Sequence, residues 1–521
     1  MKYRKLIGLL AGMCAASSFA AEKIITDTDN HKVMLQSQTG FFRFSYDNIK
    51  MPQHIQRMGL LGINYYSDFT PDIYGGIGAY GAVTGTQGGL FTLGVGAGVH
   101  HQFAERWWGD IGMYVGGGGG RASLVGGGLM LRPSAGVEYD FKWARLGLHY
   151  SYIDFPNGEI RGQSIGLDLD VPYEFYYVKY KDVGSRLINF SDIQLFKGKY
   201  LNVQRNDFGI LVQAYKQKHG TKGVGGTVQD GTMGLVGAEL DHYLTEKIFW
   251  SLKASGAFTG VPNGYMDVLG GLGYHWSLGS YGFALVPQFN AGVGGGGNVD
   301  TGGGVLLQPQ LGVEWPITSS FSGRLSGGYL WAPQGQLSAA TVTGEVFYHL
   351  DMAAAGAKSI MNSATNFKAE GWRIQLFNQT YIHPQRVNEA TTSPDNMVGV
   401  QIDQMFTPHF FLTYQAASAY AGVHAGGFAT GMIGPGVQTS ELLKSRVQPF
   451  AEVLIGAGGG GGLKIGGGAI IEPVVGVHFL LTPSVGLEAS VGQVIALRDK
   501  LTTPVFNLGI TTRFGTLTRD N

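Results

Sequence analysis

Three stretches of this 521-residue chain carry one spaced motif, and that motif constrains the fold more than any other feature. Gly116 to Gly120 is followed by Gly126-Gly127-Gly128, then Pro133, then Gly136-Val137-Glu138. Gly294 to Gly297 is followed by Gly302-Gly303-Gly304, Pro309 and Gly312-Val313-Glu314. Gly458 to Gly462 is followed by Gly466-Gly467-Gly468, Pro473 and Gly476-Val477-His478. The triple glycines end at 128, 304 and 468, so the steps are 176 and 164 residues. Upstream, Met58-Gly59-Leu60-Leu61-Gly62 matches Met233-Gly234-Leu235-Val236-Gly237. Gly237, Asp241, Thr245 and Phe249 match Gly399, Asp403, Thr407 and Phe411, each at a step of 162. Self-similarity of this kind means that one structural unit is built three times.

Within a unit the pattern has period two. Phe91-Thr92-Leu93-Gly94-Val95-Gly96-Ala97-Gly98-Val99-His100 places apolar groups at odd positions and Gly, Thr or His at even ones. Leu146 to Tyr152 and Val485 to Gly492 repeat it. Neighbouring side chains of a strand point to opposite faces, so these segments are greasy on one face only. A soluble β-sandwich alternates in the same way. Three observations favour a membrane β-barrel instead. Charged residues are 14% of the chain, against about 25% in ordinary soluble domains. Aromatic residues are 12%. No apolar run is long enough for a membrane helix.

The first residues read as an export signal: Lys2, Arg4 and Lys5, then an apolar run from Leu6 to Met13, then small residues ending in Ser18-Phe19-Ala20. Residues 1–20 are expected to be this signal, with cleavage after Ala20. The single cysteine, Cys14, lies inside it, so no disulfide framework is expected. Lys plus Arg equals Asp plus Glu, 37 each, which argues against a nucleic-acid partner.

The pattern predicts an all-β fold, a transmembrane antiparallel barrel made of three homologous units of about eight strands. The units are placed at 38–181, 208–351 and 371–521. In the third, strands are expected at 372–381, 397–406, 410–421, 428–438, 447–458, 468–480, 485–495 and 505–514. More polar separators lie near 182–207 and 352–371, with a short helix foreseen at Ala353 to Lys358. Two closures are open. The units join into one wall of about 24 strands, or each closes as an 8-stranded barrel. The long separators speak for three barrels. The single large barrel is slightly preferred, because a membrane chain usually forms one barrel.

The chain ends Asn507-Leu508-Gly509-Ile510-Thr511-Thr512-Arg513-Phe514, with seven residues beyond. This resembles the terminal-strand signal of Gram-negative outer-membrane β-barrel proteins, although Thr512 stands where a hydrophobic residue is usual. The resemblance is to the class and to no particular family. It implies an outer-membrane location and recognition by the barrel-assembly machinery through Gly509 and Phe514. Ser164 to Val171 shows a like pattern at the end of unit one.

The glycine runs are not phosphate loops, since no Gly-Lys-Ser/Thr follows any of them. Two structural readings remain. Glycines let strands curve or pack on a filled lumen. Alternatively, three side-chain-free hairpins face one another or a passing partner at close range. The motif residues are Gly116, Gly120, Gly126, Gly128, Pro133, Gly294, Gly297, Gly302, Gly304, Pro309, Gly458, Gly462, Gly466, Gly468 and Pro473.

No catalytic or metal motif is found. The string Gly162-Gln163-Ser164-Ile165-Gly166 has the Gly-x-Ser-x-Gly form but lies in an alternating strand pattern and not at a strand-to-helix turn, and His-Glu-x-x-His is absent. No cofactor and no enzymatic activity are expected. The segment from Ala21 to about Thr39 is too short for the plug of an energised nutrient receptor. The function expected is a pore or an export or uptake conduit for an unidentified solute or polymer. The alternative is a non-conducting structural or adhesin-like barrel, and a lipid-modifying enzyme comes last. The partners expected are outer-membrane lipid, lipopolysaccharide and the assembly machinery.

Overall fold

The computed structural model describes residues 32–520 except 121, 185–186, 196–199, 261–263, 280–281, 357–365, 388–392 and 444–445. The expected export signal, including Ala20, lies outside the described residues.

The short strand β1 (Val33–Met34) precedes the first unit, which comprises β2 (Gln36–Ile49), β3 (Met58–Asp68), β4 (Ile73–Thr84), β5 (Phe91–Ala104), β6 (Trp107–Gly119), β7 (Met130–Asp140), β8 (Arg145–Asp154) and β9 (Arg161–Tyr177). Two short strands follow, β10 (Ile188–Asn189) and β11 (Ile193–Gln194). The second unit comprises β12 (Tyr200–Gln217), β13 (Thr232–Tyr243), β14 (Ile248–Thr259), β15 (Met266–Tyr274), β16 (Trp276–Leu278), β17 (Phe283–Gly295), β18 (Val305–Pro316), β19 (Phe321–Trp331) and β20 (Ser338–Gly356). Here β15 and β16 form one interrupted stave, since both pair with β17. The third unit comprises β21 (Asn366–Tyr381), β22 (Asp395–Met405), β23 (Phe410–Ala421), β24 (Ala429–Gln438), β25 (Val447–Gly459), β26 (Ala469–Leu480), β27 (Val485–Ala496) and β28 (Thr502–Arg519).

All barrel pairings are antiparallel, and each unit closes on itself. β2 pairs β9 from Gln36↔Tyr177 to Tyr46↔Leu167. β12 pairs β20 from Tyr200↔Gly356 to Gln217↔Ala339. β21 pairs β28 from Phe367↔Arg519 to Tyr381↔Val505. The preferred single wall of about 24 strands is therefore corrected to three tandem 8-stranded barrels. First and last strands of each unit satisfy one another's backbone groups along nearly their whole length, and among the described residues the last strands of different units pair only at their ends, at Met352–Thr518 and near Val178–Gly515. The foreseen helix at Ala353 is corrected too. Ala353 to Gly356 extends β20, because Tyr200 to Val203 of β12 offers it a ladder.

Short turns and longer loops fall at opposite ends. On the side where each unit starts and ends, five turns share a Thr that caps the reversal. Thr70, Thr245, Thr318, Thr407 and Thr482 each accept backbone N–H donors two and three residues ahead at 2.9–3.3 Å. The glycine hairpins lie at the other end. Side chains alternate between the lumen, where they are buried, and the outside. Ile165 is 77% exposed and Ile111 69%.

The barrels touch at both ends through different strands. On the short-turn side the last strands β9, β20 and β28 converge. There Val178, Leu201, Ala353, Phe367, Ala369 and Leu517 are buried with Val33, Leu35 and Ile188 in one apolar cluster. On the loop side β4 meets β17, β14 meets β25 and β23 meets β6. Barrel strands tilt by roughly 35–45°, so the stave facing a neighbour changes along the wall.

Candidate functional site

Three seams join the barrels at the loop end, and the glycine motif builds each of them. The hairpin after β17 reaches the β4–β5 corner of barrel one. The hairpin after β25 reaches the β14–β15 corner of barrel two. The hairpin after β6 reaches the β23–β24 corner of barrel three. The ring closes head to tail, an approximate threefold arrangement within one chain.

The repetition extends to single atoms. Each corner is held by one backbone bond: Ala82 N–H to Leu90 O (3.0 Å), Ala257 N–H to Tyr265 O (2.9 Å) and Ala419 N–H to Phe428 O (2.9 Å). Each hairpin is held by another: Gly118 to Gly128 O (3.1 Å), Gly294 to Gly304 O (2.9 Å) and Gly458 to Gly468 O (2.8 Å). A methyl group on Gly304 would run into the carbonyl oxygen of Ala82. Gly468 stands in the same way against Ala257, and Gly128 against Ala419. These three glycines have φ of +105°, +99° and +95°, a region that disfavours side chains. Backbone bonds cross two seams: Gly88 N–H to Gly302 O (2.8 Å) and Gly426 N–H to Gly126 O (2.9 Å).

The remaining motif residues divide by what they touch. Gly126, Gly302 and Gly466 lie against Asn157, Gln334 and Arg498 in the last loop of their own barrels. Gly120 meets Gly89 and Leu90 inside barrel one, and Gly116 meets the Tyr114 ring. Gly294 packs on Leu306 and Asp267, and Gly458 on Thr430 and Ile470. The Gly297 carbonyl accepts from Gln229 Nε2 at 3.5 Å, and the Gly462 carbonyl accepts from Val387 N–H at 2.8 Å, with open space where a side chain on Gly462 would stand. Pro133, Pro309 and Pro473 sit where the ladder to the next strand is interrupted. Pairing stops at Leu131, Leu307 and Ile471 and resumes at Ser134, Gln310 and Val474. A residue without an N–H leaves such a gap. Gly509 pairs with Phe377, and a side chain there would strike Gln375. Phe514 packs on Phe175 and Tyr177 of barrel one, ring centroids 5.5 and 6.3 Å away. β28 runs on past it to Arg519.

The lumens are filled. In barrel one Arg43 donates to Asp170 (2.7 Å), Asp110 (2.9 Å) and Glu138 (2.6 Å). Arg132 donates to Asp47 at 2.8 Å. Ser45 and Ser151 donate to Asp168 and Asp47, both at 2.6 Å. In barrel two Arg324 donates to Glu314 (2.8 Å) and Asp241 (2.8 Å), and Lys253 to Gln308 (2.7 Å). In barrel three Arg373 donates to Asp403 (2.6 Å) and Gln438 (2.9 Å), and Gln379 to Glu472 (2.9 Å). Arg324 and Arg373 are each 1% exposed. Eight strands enclose a bore that side chains alone occupy. A wide lumen does not form in any unit.

These ionic cores and the Ala82, Ala257 and Ala419 corners were not among the features expected from the sequence. The signals were present. Single charges stood at the lumen phase of otherwise bland strands, and Gly89, Gly264 and Gly427 each preceded Leu90, Tyr265 and Phe428.

No family model and no curated protein matches the chain. Solved structures with partial likeness include OpdQ of Pseudomonas aeruginosa, at 9% identity and TM-score 0.21, covering 92% of this chain and 98% of that one. OccK8 (OprE) of Pseudomonas aeruginosa gives 10% and 0.20, covering 92% and 98%. The siderophore receptor PirA of Acinetobacter baumannii gives 9% and 0.27, covering 92% and 81%. At such values the function is argued from this chain's own geometry.

Proposed function

We propose that the protein spans the outer membrane as a non-conducting platform of three barrels that presents one joined loop surface to the outside. The filled lumens carry this reading: buried arginines tied to several carboxylates leave no path for a solute. The membrane location is supported by the outward apolar faces and by aromatics gathered near the short turns. These include Phe103, Trp107, Phe141, Trp143, Trp276, Trp315 and Phe410, all substantially exposed. Short turns belong on the periplasmic side of such proteins and longer loops outside. Lipid and lipopolysaccharide would bathe the outward faces, and the assembly machinery would read β28.

No catalytic role is proposed. The His149 ring lies between Asp47 (2.9 Å) and Asp168 (2.8 Å), but both serines beside it donate to the carboxylates. The group is sealed inside barrel one, and a nucleophile must reach its substrate.

One observation favours a conduit between the barrels instead. Asn378, Thr380, Asn396 and Tyr420 of barrel three point outward and bond one another at 2.8–3.1 Å, a polar strip on a wall that lipid would want apolar. Planar-bilayer recording of the folded protein separates the two. The platform reading expects a silent membrane, and reproducible conductance steps would replace it with the inter-barrel path.

A further inference from the structure

The three seams share their corner and hairpin bonds, but among the described residues their side chains differ, and one seam holds a cleft. Between barrels one and two lies a cleft of about 480 Å³, lined by Gln56, Thr84, Thr86, Gln87, Thr301 and Gln334, among others. Its size falls within the roughly 300–1,000 Å³ of small-ligand pockets. At the corresponding place between barrels two and three a side chain reaches across the seam. Thr259, the counterpart of Thr84, accepts a hydrogen bond from Arg498, the counterpart of Gln334. Between barrels three and one, Ala421 and Asn157 take those places. The hairpin there carries an extra helical turn, Ala122–Val125, whose Leu124 and Val125 are buried. Val125 packs against Gly426 of the neighbouring barrel.

We propose that the cleft is a binding site for a neutral, hydroxyl-rich ligand, a short stretch of glycan. The side chains named are amides and hydroxyls, which both donate and accept hydrogen bonds and so match sugar hydroxyls. Asp300 is the one charged side chain in the lining, and its Oδ1 accepts from Gly302 N–H at 3.0 Å. Among the described residues no lysine or arginine lines the cleft, so its described lining resembles a hydroxyl site more than a phosphate or carboxylate site. The floor is seam backbone, fixed by the Gly88–Gly302 bond. The rim is fixed as well. Val224 and Gly225 donate to the Asn298 carbonyl (2.9 Å) and side-chain Oδ1 (3.0 Å), which pins the 218–231 loop beside the cleft. A site held in place before the ligand arrives loses less entropy on binding.

This inference deepens the platform reading and rests on it only for the side from which the glycan comes. The test uses the full chain, folded in detergent. Dephosphorylated core oligosaccharide from the host lipopolysaccharide and maltohexaose are titrated by calorimetry, with inorganic phosphate as competitor. Binding of one glycan at one site per chain is expected, unaffected by phosphate. The core fragment would mark a ligand from the same membrane, and maltohexaose one from outside. Gln334→Arg imports the residue that crosses the second seam and should weaken binding at least tenfold. Thr86→Trp blocks the cleft from its exposed rim and should do the same. Both variants are checked for the heat-modifiable gel shift of a closed barrel. Failure of both glycans to bind, binding that survives both folded variants, or displacement by phosphate would each overturn the assignment. Labelling of Thr86→Cys on intact cells tests the orientation separately, so the two readings can fail independently.

Discussion

The interiors of the three barrels and the seams between them obey opposite rules. At one register position in the lumens the three units hold Gly147, Arg324 and Glu488, facing Glu138, Glu314 and His478. At the position of Arg43 they hold Gly209 and Gln375. At the seams, Gly128, Gly304 and Gly468 meet Ala419, Ala82 and Ala257 without variation in backbone. A lumen needs only to satisfy its own charges, and many sets of side chains achieve that. A seam fits main chain to main chain, where no change of side chain compensates an added atom.

This contrast can be broken, and the largest effect should come from a lumen. Arg324→Met leaves Asp241 and Glu314 buried without their cation, and loss of one partner from such a network costs roughly 3–5 kcal/mol. Limited proteolysis should then open residues 200–356 while barrels one and three stay protected. Uniform cleavage would show that the units are not separate compartments.

A seam substitution should act on docking and spare closure. Gly304→Val places a side chain at positive φ, roughly 1–2 kcal/mol by itself, and forces the Ala82 backbone away. Exchange of the Gly88 amide should accelerate while the heat-modifiable shift persists. A protected Gly88 amide would mean that the close approach is dispensable. Smaller again is Phe208→Ala, which removes the edge-on contact with Tyr414 at 4.7 Å between barrels two and three. An aromatic pair contributes about 0.5–1.5 kcal/mol beyond area, so thermal unfolding of the assembly should begin slightly earlier with single-barrel stability unchanged. The smallest effect is expected for Thr318→Ala, about 1 kcal/mol or less for an exposed turn cap, read as faster exchange confined to Ser320 and Phe321.

Strand positions were legible because alternation is a local property. The eight segments expected between 372 and 514 match β21 to β28 to within a few residues at most ends, although β21 and β28 run further. Closure was not legible. The same alternation describes a stave of a wide barrel or a narrow one, and the deciding pairs, such as Gln36 with Tyr177, are far apart in sequence. The long separators were the better guide, since a chain leaving one closed barrel must travel to the next. The lumen networks were hidden for a related reason. Arg43 finds Asp170 only after the wall has curved through a full turn.

The head-to-tail order of the seams has a mechanical consequence. Each barrel is gripped by two neighbours, so one seam can spring open while the other two still hold all three bodies together. The loosened pair remains at high effective concentration and recloses before anything drifts away. Cutting the peptide between units should therefore leave a particle that sediments as one piece, with the backbone connection serving assembly more than cohesion.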